Sequence, residues 1–239
     1  MNFLDVTFER PEENLACDEA LLTMCEAGFD GEIIRFWEPQ HHFVVLGYSS
    51  SIHSDVHLQY CLQSAFPVLR RCSGGGTVVQ GPGCLNYTLI LPIREPGPLM
   101  TIRGTNNHVL TLHRDALERV ISATIRVQGS SDLTFGSMKF SGNAQRRTAR
   151  HVLFHGTFLL DFDISILQRV LPLPSKQPSY RGSRSHQDFL TNLHIESTLL
   201  KQVLCHAWNA TKELHAVPLE ETHRLATTKY STKEWTFRV

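Results

Sequence analysis

The chain has 239 residues, 41% of them hydrophobic and 19% charged, an ordinary globular balance that predicts a packed core rather than disorder. Its 23 lysines and arginines are matched by 23 acids, so the basic surplus of a nucleic-acid binder is missing and any basic patch is local. No apolar run approaches the roughly 20 residues of a membrane-spanning helix, Met1 to Asp5 has no signal-peptide pattern, and the six scattered cysteines include no Cys-x-x-Cys pair. We therefore expect a cytoplasmic protein without a nucleic-acid or membrane partner and without a disulfide framework or a histidine-built metal centre.

Taken in order, Leu15 to Cys25 carries apolar side chains at three- and four-residue spacing and is closed by Gly28, which predicts an amphipathic helix with a glycine stop. Ile33 to Trp37 and Phe43 to Gly47, separated by Glu38-Pro39-Gln40, read as the two strands of a hairpin. Ser54-Asp55 is an N-cap candidate for a short helix through Leu58 and Cys61.

Next comes the most informative stretch, Arg70-Arg71-Cys72-Ser73-Gly74-Gly75-Gly76-Thr77-Val78-Val79. Three glycines let the backbone approach a ligand closely, and their successive amide N–H groups form an anion-binding nest. The arginines before them supply planar, permanently charged forks suited to carboxylate or phosphate. Aliphatic runs on both sides put this loop between strands. The spacing is that of neither a P-loop nor a Rossmann turn.

Asn86 to Pro92 reads as a strand, and Thr105 to Ala123 as a helix with Val109, Leu110, Leu112, Ala116, Leu117, Val120 and Ile121 along one face. Short β-like segments follow at 125–127, 133–135, 138–140 and 152–160. A brief helix starts at Asp163, and 173–186 is a long loop rich in Pro, Gly and Arg. Residues 196–210 and 219–230 are helical again, and Trp235-Thr236-Phe237 reads as a last strand. With no repeat and no linker, the expectation is one α+β domain over 1–239, a central mixed, mostly antiparallel sheet flanked by helices.

A second constellation, Lys139-Phe140-Ser141-Gly142-Asn143-Ala144-Gln145, precedes His155-Gly156-Thr157. It places a cation beside what reads as a tight Ser-Gly turn. Arg-Arg-x-Ser-Gly-Gly-Gly with a downstream Asn86, then Lys-x-Ser-Gly-x-Ala-Gln and His-Gly-Thr, resembles the catalytic domain of lipoate-protein ligases in the biotin/lipoate ligase superfamily. Asp18 to Leu22, Arg35 to Gly47 and Lys229 to Phe237 resemble it too, so nearly the whole chain is covered.

The resemblance implies a fold, the biotin/lipoate ligase catalytic domain, and a reaction. Lipoate is activated by ATP to lipoyl-adenylate and passed to a lysine of a lipoyl carrier, either the lipoyl domain of a 2-oxoacid dehydrogenase E2 subunit or the glycine cleavage H protein. It also implies roles. Lys139 contacts the carboxylate and α-phosphate oxygens; Arg70, Ser73, Gly74, Gly75, Gly76 and Thr77 line the acyl and phosphate pocket; Asn86 holds the nucleotide end. Arg71 stays open between a ligand contact and a structural partner of an acid. Ser141, Gly142 and Ala144 shape the turn presenting Lys139, and His155, Gly156 and Thr157 border the same cavity. Asp132 falls where the family carries an Asp directed to nucleotide and Mg²⁺, although Ser131 stands where Asn is common.

Many such ligases carry a further C-terminal domain, fused or separate. The sequence reaches Val239 just after the last catalytic-domain motif, so an accessory subunit is a further expectation. Three rivals compete with the ligase reading. One is an octanoyl or lipoyl transferase that needs no ATP and works through a cysteine; Cys72 and Cys84 flank the glycine loop but read as packing residues. A biotin ligase lacks its Gly-Arg-Gly-Arg-x-Gly signature here. The third is a non-catalytic paralogue that binds lipoyl domains.

Overall fold

The computed structural model describes every residue from Met1 to Val239. In chain order the elements are β1 (Asn2–Asp5), α1 (Pro11–Glu26), β2 (Ile33–Trp37), β3 (Phe43–Leu46), α2 (Ile52–Asp55), α3 (Leu58–Gln63), β4 (Val68–Arg70), β5 (Val78–Gln80) and β6 (Cys84–Pro92). They continue with α4 (Ile102–Glu118), β7 (Ile125–Gln128), β8 (Asp132–Phe135), β9 (Met138–Arg147), β10 (His151–Leu159), α5 (Leu167–Val170) and α6 (His186–Phe189). The last are α7 (Ser197–Ala207), β11 (Lys212–Glu213), α8 (Leu219–Leu225) and α9 (Lys233–Thr236).

Eight strands form one mixed sheet in the order β11-β1-β2-β6-β10-β9-β8-β7, and β4-β3-β5 form a second, smaller sheet. The apolar pattern explains the large sheet. β6 is buried on all but its last residue, its polar Asn86 and Thr88 included, because both of its faces are covered. On β2, Ile34 and Phe36 join the core beneath α4 and α7, whereas Ile33 and Trp37 join the core beneath α1. This is the two-residue alternation of a strand packed on both sides. α4 buries Val109, Leu110, Ala116 and Leu117 of the predicted face but ends at Glu118, leaving Val120 beyond it and exposed; it is capped by Thr101, whose side chain accepts from the Gly104 amide at 2.9 Å.

Four local expectations are corrected. Phe43–Leu46 does not pair with Ile33–Trp37: β2 runs between β1 and β6, while β3 pairs with β4 and β5, so the apparent hairpin is a crossing between sheets. α1 is buried nearly all round, its Asn14, Asp18 and Glu19 included, because it lies between the large sheet and α8. The short helix predicted after Ser54 is split into α2 and α3, with Ser51 and His57 as their N-caps. Trp235-Thr236 sits in the helical turn α9, where Thr232 accepts from the Trp235 amide at 3.3 Å.

Candidate active site

The glycine loop is the excursion between β4 and β5, both of which pair with β3. Gly75 has φ +86°, a left-handed conformation that glycine adopts without strain. A Cβ on Gly47 would fall inside the van der Waals radius of the Gly75 carbonyl, so the loop packs against bare backbone.

The two arginines have separate roles. Arg70 is 0% exposed and donates to the carbonyls of Gly47, Tyr48 and Ser50 on one side and of Trp235 and Thr236 on the other. It ties α9 to the loop after β3 and faces no cavity. Arg71 lines the cavity, yet its guanidinium turns back on the loop, donating to Gly74 O at 2.6 Å, Gly76 O at 2.8 Å and Ser73 Oγ at 3.0 Å. It braces backbone carbonyls instead of pairing with an acid. Burial pushes it down to about 10, which leaves it charged at neutral pH.

Ser73 continues into a buried chain. Its Oγ lies 2.5 Å from His155 Nε2, His155 Nδ1 lies 3.3 Å from Asp18 Oδ2, and Asp18 Oδ1 lies 2.5 Å from Arg35 Nη1. Burial pushes the Asp18 carboxyl up, but the Arg35 charge and the His155 hydrogen bond outweigh it and hold the group below the usual carboxylate range. The order Ser-His-Asp is that of a hydrolase triad. Ser73 is only 1% exposed and lines no cavity, so the chain clamps the loop and orients His155 instead of presenting a nucleophile.

Two contiguous cavities of about 600 and 480 Å³ open along the face of the sheet. Both are lined by Gly75, Gly76, Thr77, Lys139, Gly142 and Thr157, so Lys139 stands where they meet. Its side chain is 25% exposed, and its Nζ lies 2.7 Å from Asp132 Oδ1. Strand register brings the other motifs alongside: Thr157 of β10 faces Gly142 of β9 on one side and Asn86 of β6 on the other. Asn86 donates to Gln80 Oε1 (3.0 Å) and accepts from Thr157 Oγ1 (2.6 Å), and Gln80 Nε2 donates to Thr157 Oγ1 (2.7 Å). The ring of three polar side chains leaves Asn86 on the wall of the second cavity.

With this geometry in hand, comparison with known proteins is decisive. Residues 10–205 match the family model of the lipoyl protein ligase A/B catalytic domain. The chain belongs to that family. Among its relatives, a protein of Aeropyrum pernix named putative lipoate-protein ligase A is 30% identical, the match covering 96% of this chain and 89% of that one. An octanoyltransferase of Staphylococcus aureus is 25% identical over 99% and 98%. A chain from the structural study of a bi-partite lipoate protein ligase and its E2 lipoyl domain from Thermoplasma acidophilum superposes with a TM-score of 0.84 at 21% identity, covering 99% and 95% of the two chains. A lipoate-protein ligase A bound with ATP gives 0.81 at 22% identity (99% and 98%), and the Thermoplasma protein with bound lipoic acid gives 0.82 at 21% (99% and 98%). These superpositions show the same fold.

Of the residues that the family pattern singles out, Arg71, Gly75, Gly76, Thr77, Asn86, Asp132, Lys139, Ser141, Gly142, Ala144, His155, Gly156 and Thr157 line the two cavities. Arg70, Ser73 and Gly74 do not: Arg70 and Ser73 are buried behind the loop, and Gly74, within it, accepts from Arg71 through its carbonyl. Ser141 and Gly142 make no turn. They lie within the continuous strand β9, and the turn that presents Lys139 is at Gly136-Ser137, with Gly136 at φ +55°. Both Asp132 oxygens are engaged, by Lys139 and by the Tyr180 hydroxyl, and no group of three or more His, Cys, Asp or Glu side chains is gathered that could hold a metal ion.

Other lining residues lack a motif of their own. Trp37 reaches the second cavity with its indole N–H unpartnered, and Tyr87 donates to Asn143 Oδ1 at 2.6 Å beside Gly156. Arg181, 5% exposed, stacks over Phe189 at 4.6 Å, and both line each cavity. Arg181 comes from the stretch read as surface loop; its only signal is a burst of Tyr and Arg between prolines.

Proposed function

We propose that the protein activates lipoate with ATP, forms lipoyl-adenylate with release of pyrophosphate, and transfers the lipoyl group to a lysine of a lipoyl carrier domain. The observation that carries this reading is the placement of Lys139 at the junction of two cavities, each of a size to take a small-molecule ligand. Forming an acyl-adenylate brings a carboxylate oxygen to the α-phosphorus as the bond to pyrophosphate breaks. The negative charge crowded there needs a fixed cation. Lys139, Gly75 and Gly76 line that junction. In the second step the carrier amine attacks the acyl carbonyl, AMP leaves, and the ammonium proton passes to solvent.

Relatives named octanoyltransferase give the alternative, transfer from an acyl carrier without ATP. A thioester route needs a reachable thiolate. None of the six cysteines lines either cavity, and burial pushes the thiols of Cys72 and Cys84 up to about 11 and about 12. This favours the ligase. A lipoyl domain as acceptor and a separate accessory subunit are parts of the same proposal.

The deciding assay incubates the protein with ATP, Mg²⁺, lipoate and an apo lipoyl domain and follows the carrier's mass. A gain of one lipoyl group that depends on ATP is the expected result. Transfer from octanoyl-carrier protein without ATP would replace the reading with the transferase, and neither reaction, with or without an accessory subunit, would leave a binding paralogue.

A further inference from the structure

Asp132 is shared. Lys139 Nζ holds its Oδ1 at 2.7 Å, and the Tyr180 hydroxyl donates to its Oδ2 at 2.7 Å. No other side chain donates to this carboxylate, whose side chain is 11% exposed. The tyrosine comes from the segment between α5 and α6, which lines both cavities and is fixed to the turn just before the strand carrying Lys139. Arg184 donates to Ser137 O at 3.0 Å and Tyr180 O at 2.9 Å, and the Thr191 amide donates to Lys139 O at 2.9 Å. The ring rests against Phe189, 5.2 Å between centroids, and over Gly129, where an added Cβ would approach Tyr180 Cε1 to 3.3 Å.

We propose that Tyr180 is a positioning residue for Lys139: it holds and satisfies the Asp132 carboxylate, so that the lysine can turn from Asp132 to an incoming anion. The proposal rests on the reading of Lys139 given above. A carboxylate with two donors leans less on each of them, because its charge is spread over two hydrogen bonds. When Lys139 leaves Oδ1 for a substrate oxygen, the carboxylate is not stranded without a partner, which in a buried place is costly. Without the hydroxyl, Asp132 grips the lysine harder and competes with substrate for it.

The test uses Tyr180→Phe, Asp132→Asn and the double variant, each checked for an unchanged melting temperature. Trace acetylation by acetic anhydride at pH 8, read on Lys139 by mass spectrometry in ligand-free protein, should slow about fivefold in Tyr180→Phe. KM for lipoate in ATP-dependent pyrophosphate release should rise about fivefold with kcat within twofold of wild type, the mark of an altered ground-state competition. In the Asp132→Asn background, adding Tyr180→Phe should change either quantity by less than twofold. An unchanged acetylation rate in Tyr180→Phe would overturn the proposal. So would an undiminished effect in the Asp132→Asn background, since the tyrosine would then act only by anchoring its segment. If wild-type protein releases no pyrophosphate from ATP and lipoate, the functional reading fails, and the acetylation rates alone still decide the link from Tyr180 through Asp132 to Lys139.

Discussion

Lys139 and Arg70 are both cations in family motifs, and their surroundings give them opposite tasks. Lys139 keeps a quarter of its side chain open, with a single acid as its partner. Lys139→Ala is expected to lower kcat/KM for lipoylation by about a hundredfold or more while leaving circular dichroism unchanged, since one preorganised charge is lost and no core contact is. Arg70 spends its donors on five backbone carbonyls and lines neither cavity. Removing it strands buried acceptors, so Arg70→Ala should lower unfolding stability by about 3 kcal/mol or more in urea titration. Arg70→Lys should recover little of this, because three donors on one nitrogen cannot span two separated clusters of carbonyls. The motif Arg-Arg-x-Ser-Gly-Gly-Gly shows that the arginines matter, and strand alternation sends neighbours to opposite sides; only the tertiary fold shows that Arg71 is the one beside the cavity.

At the scale of elements, the site depends on how closely unlike pieces of backbone meet. Gly47, at the end of β3, touches the Gly75 carbonyl so closely that Gly47→Ala must displace the glycine loop. We expect that variant to stay folded and to lose about tenfold or more in kcat/KM, because displacing a binding loop by an ångström misaligns the reacting groups. Sequence alone places the strands on either side of the glycines, the long helix α4 and the strands carrying Lys139 and His155, since these follow from local periodicity. It misplaces the partner of β2 and the state of Trp235. In both, a tertiary neighbour decides: an apolar five-residue run pairs with whichever edge is vacant, and a short aromatic segment follows its Thr232 cap. The Ser-Gly pair in β9 misleads for a related reason. There the glycine lies within the strand beside Lys139, whose flexible end a Cβ on Gly142 would meet at 2.5 Å, and makes no turn.

Over the whole molecule, acid stability has an identifiable weak point in the core between the sheet, α4 and α7. His113 is fully buried, accepts from Trp208 Nε1 at 2.9 Å, and is pushed down to about 3 by burial. The unfolded chain protonates this histidine below about pH 6.5 and the folded chain does not. Its contribution is thus fully present above about pH 6.5 and is lost as the pH falls toward about 3, about 2 kcal/mol by pH 5. His113→Gln should flatten the dependence of the urea midpoint between pH 7 and pH 5; an unchanged slope would place the acid sensitivity elsewhere.

The clasp of Arg70 on α9 has one more consequence, in time rather than in space. Every residue lining the two cavities has been synthesised once residue 190 is added, yet the carbonyls of Trp235 and Thr236 that fix Arg70 come about 165 positions after it. A nascent chain halted before them, or a product clipped at Tyr230, holds the complete lining of the site around a loop whose anchor is missing. Such a chain is expected to bind weakly and to be cut by protease near the glycines, until the last few residues lock it.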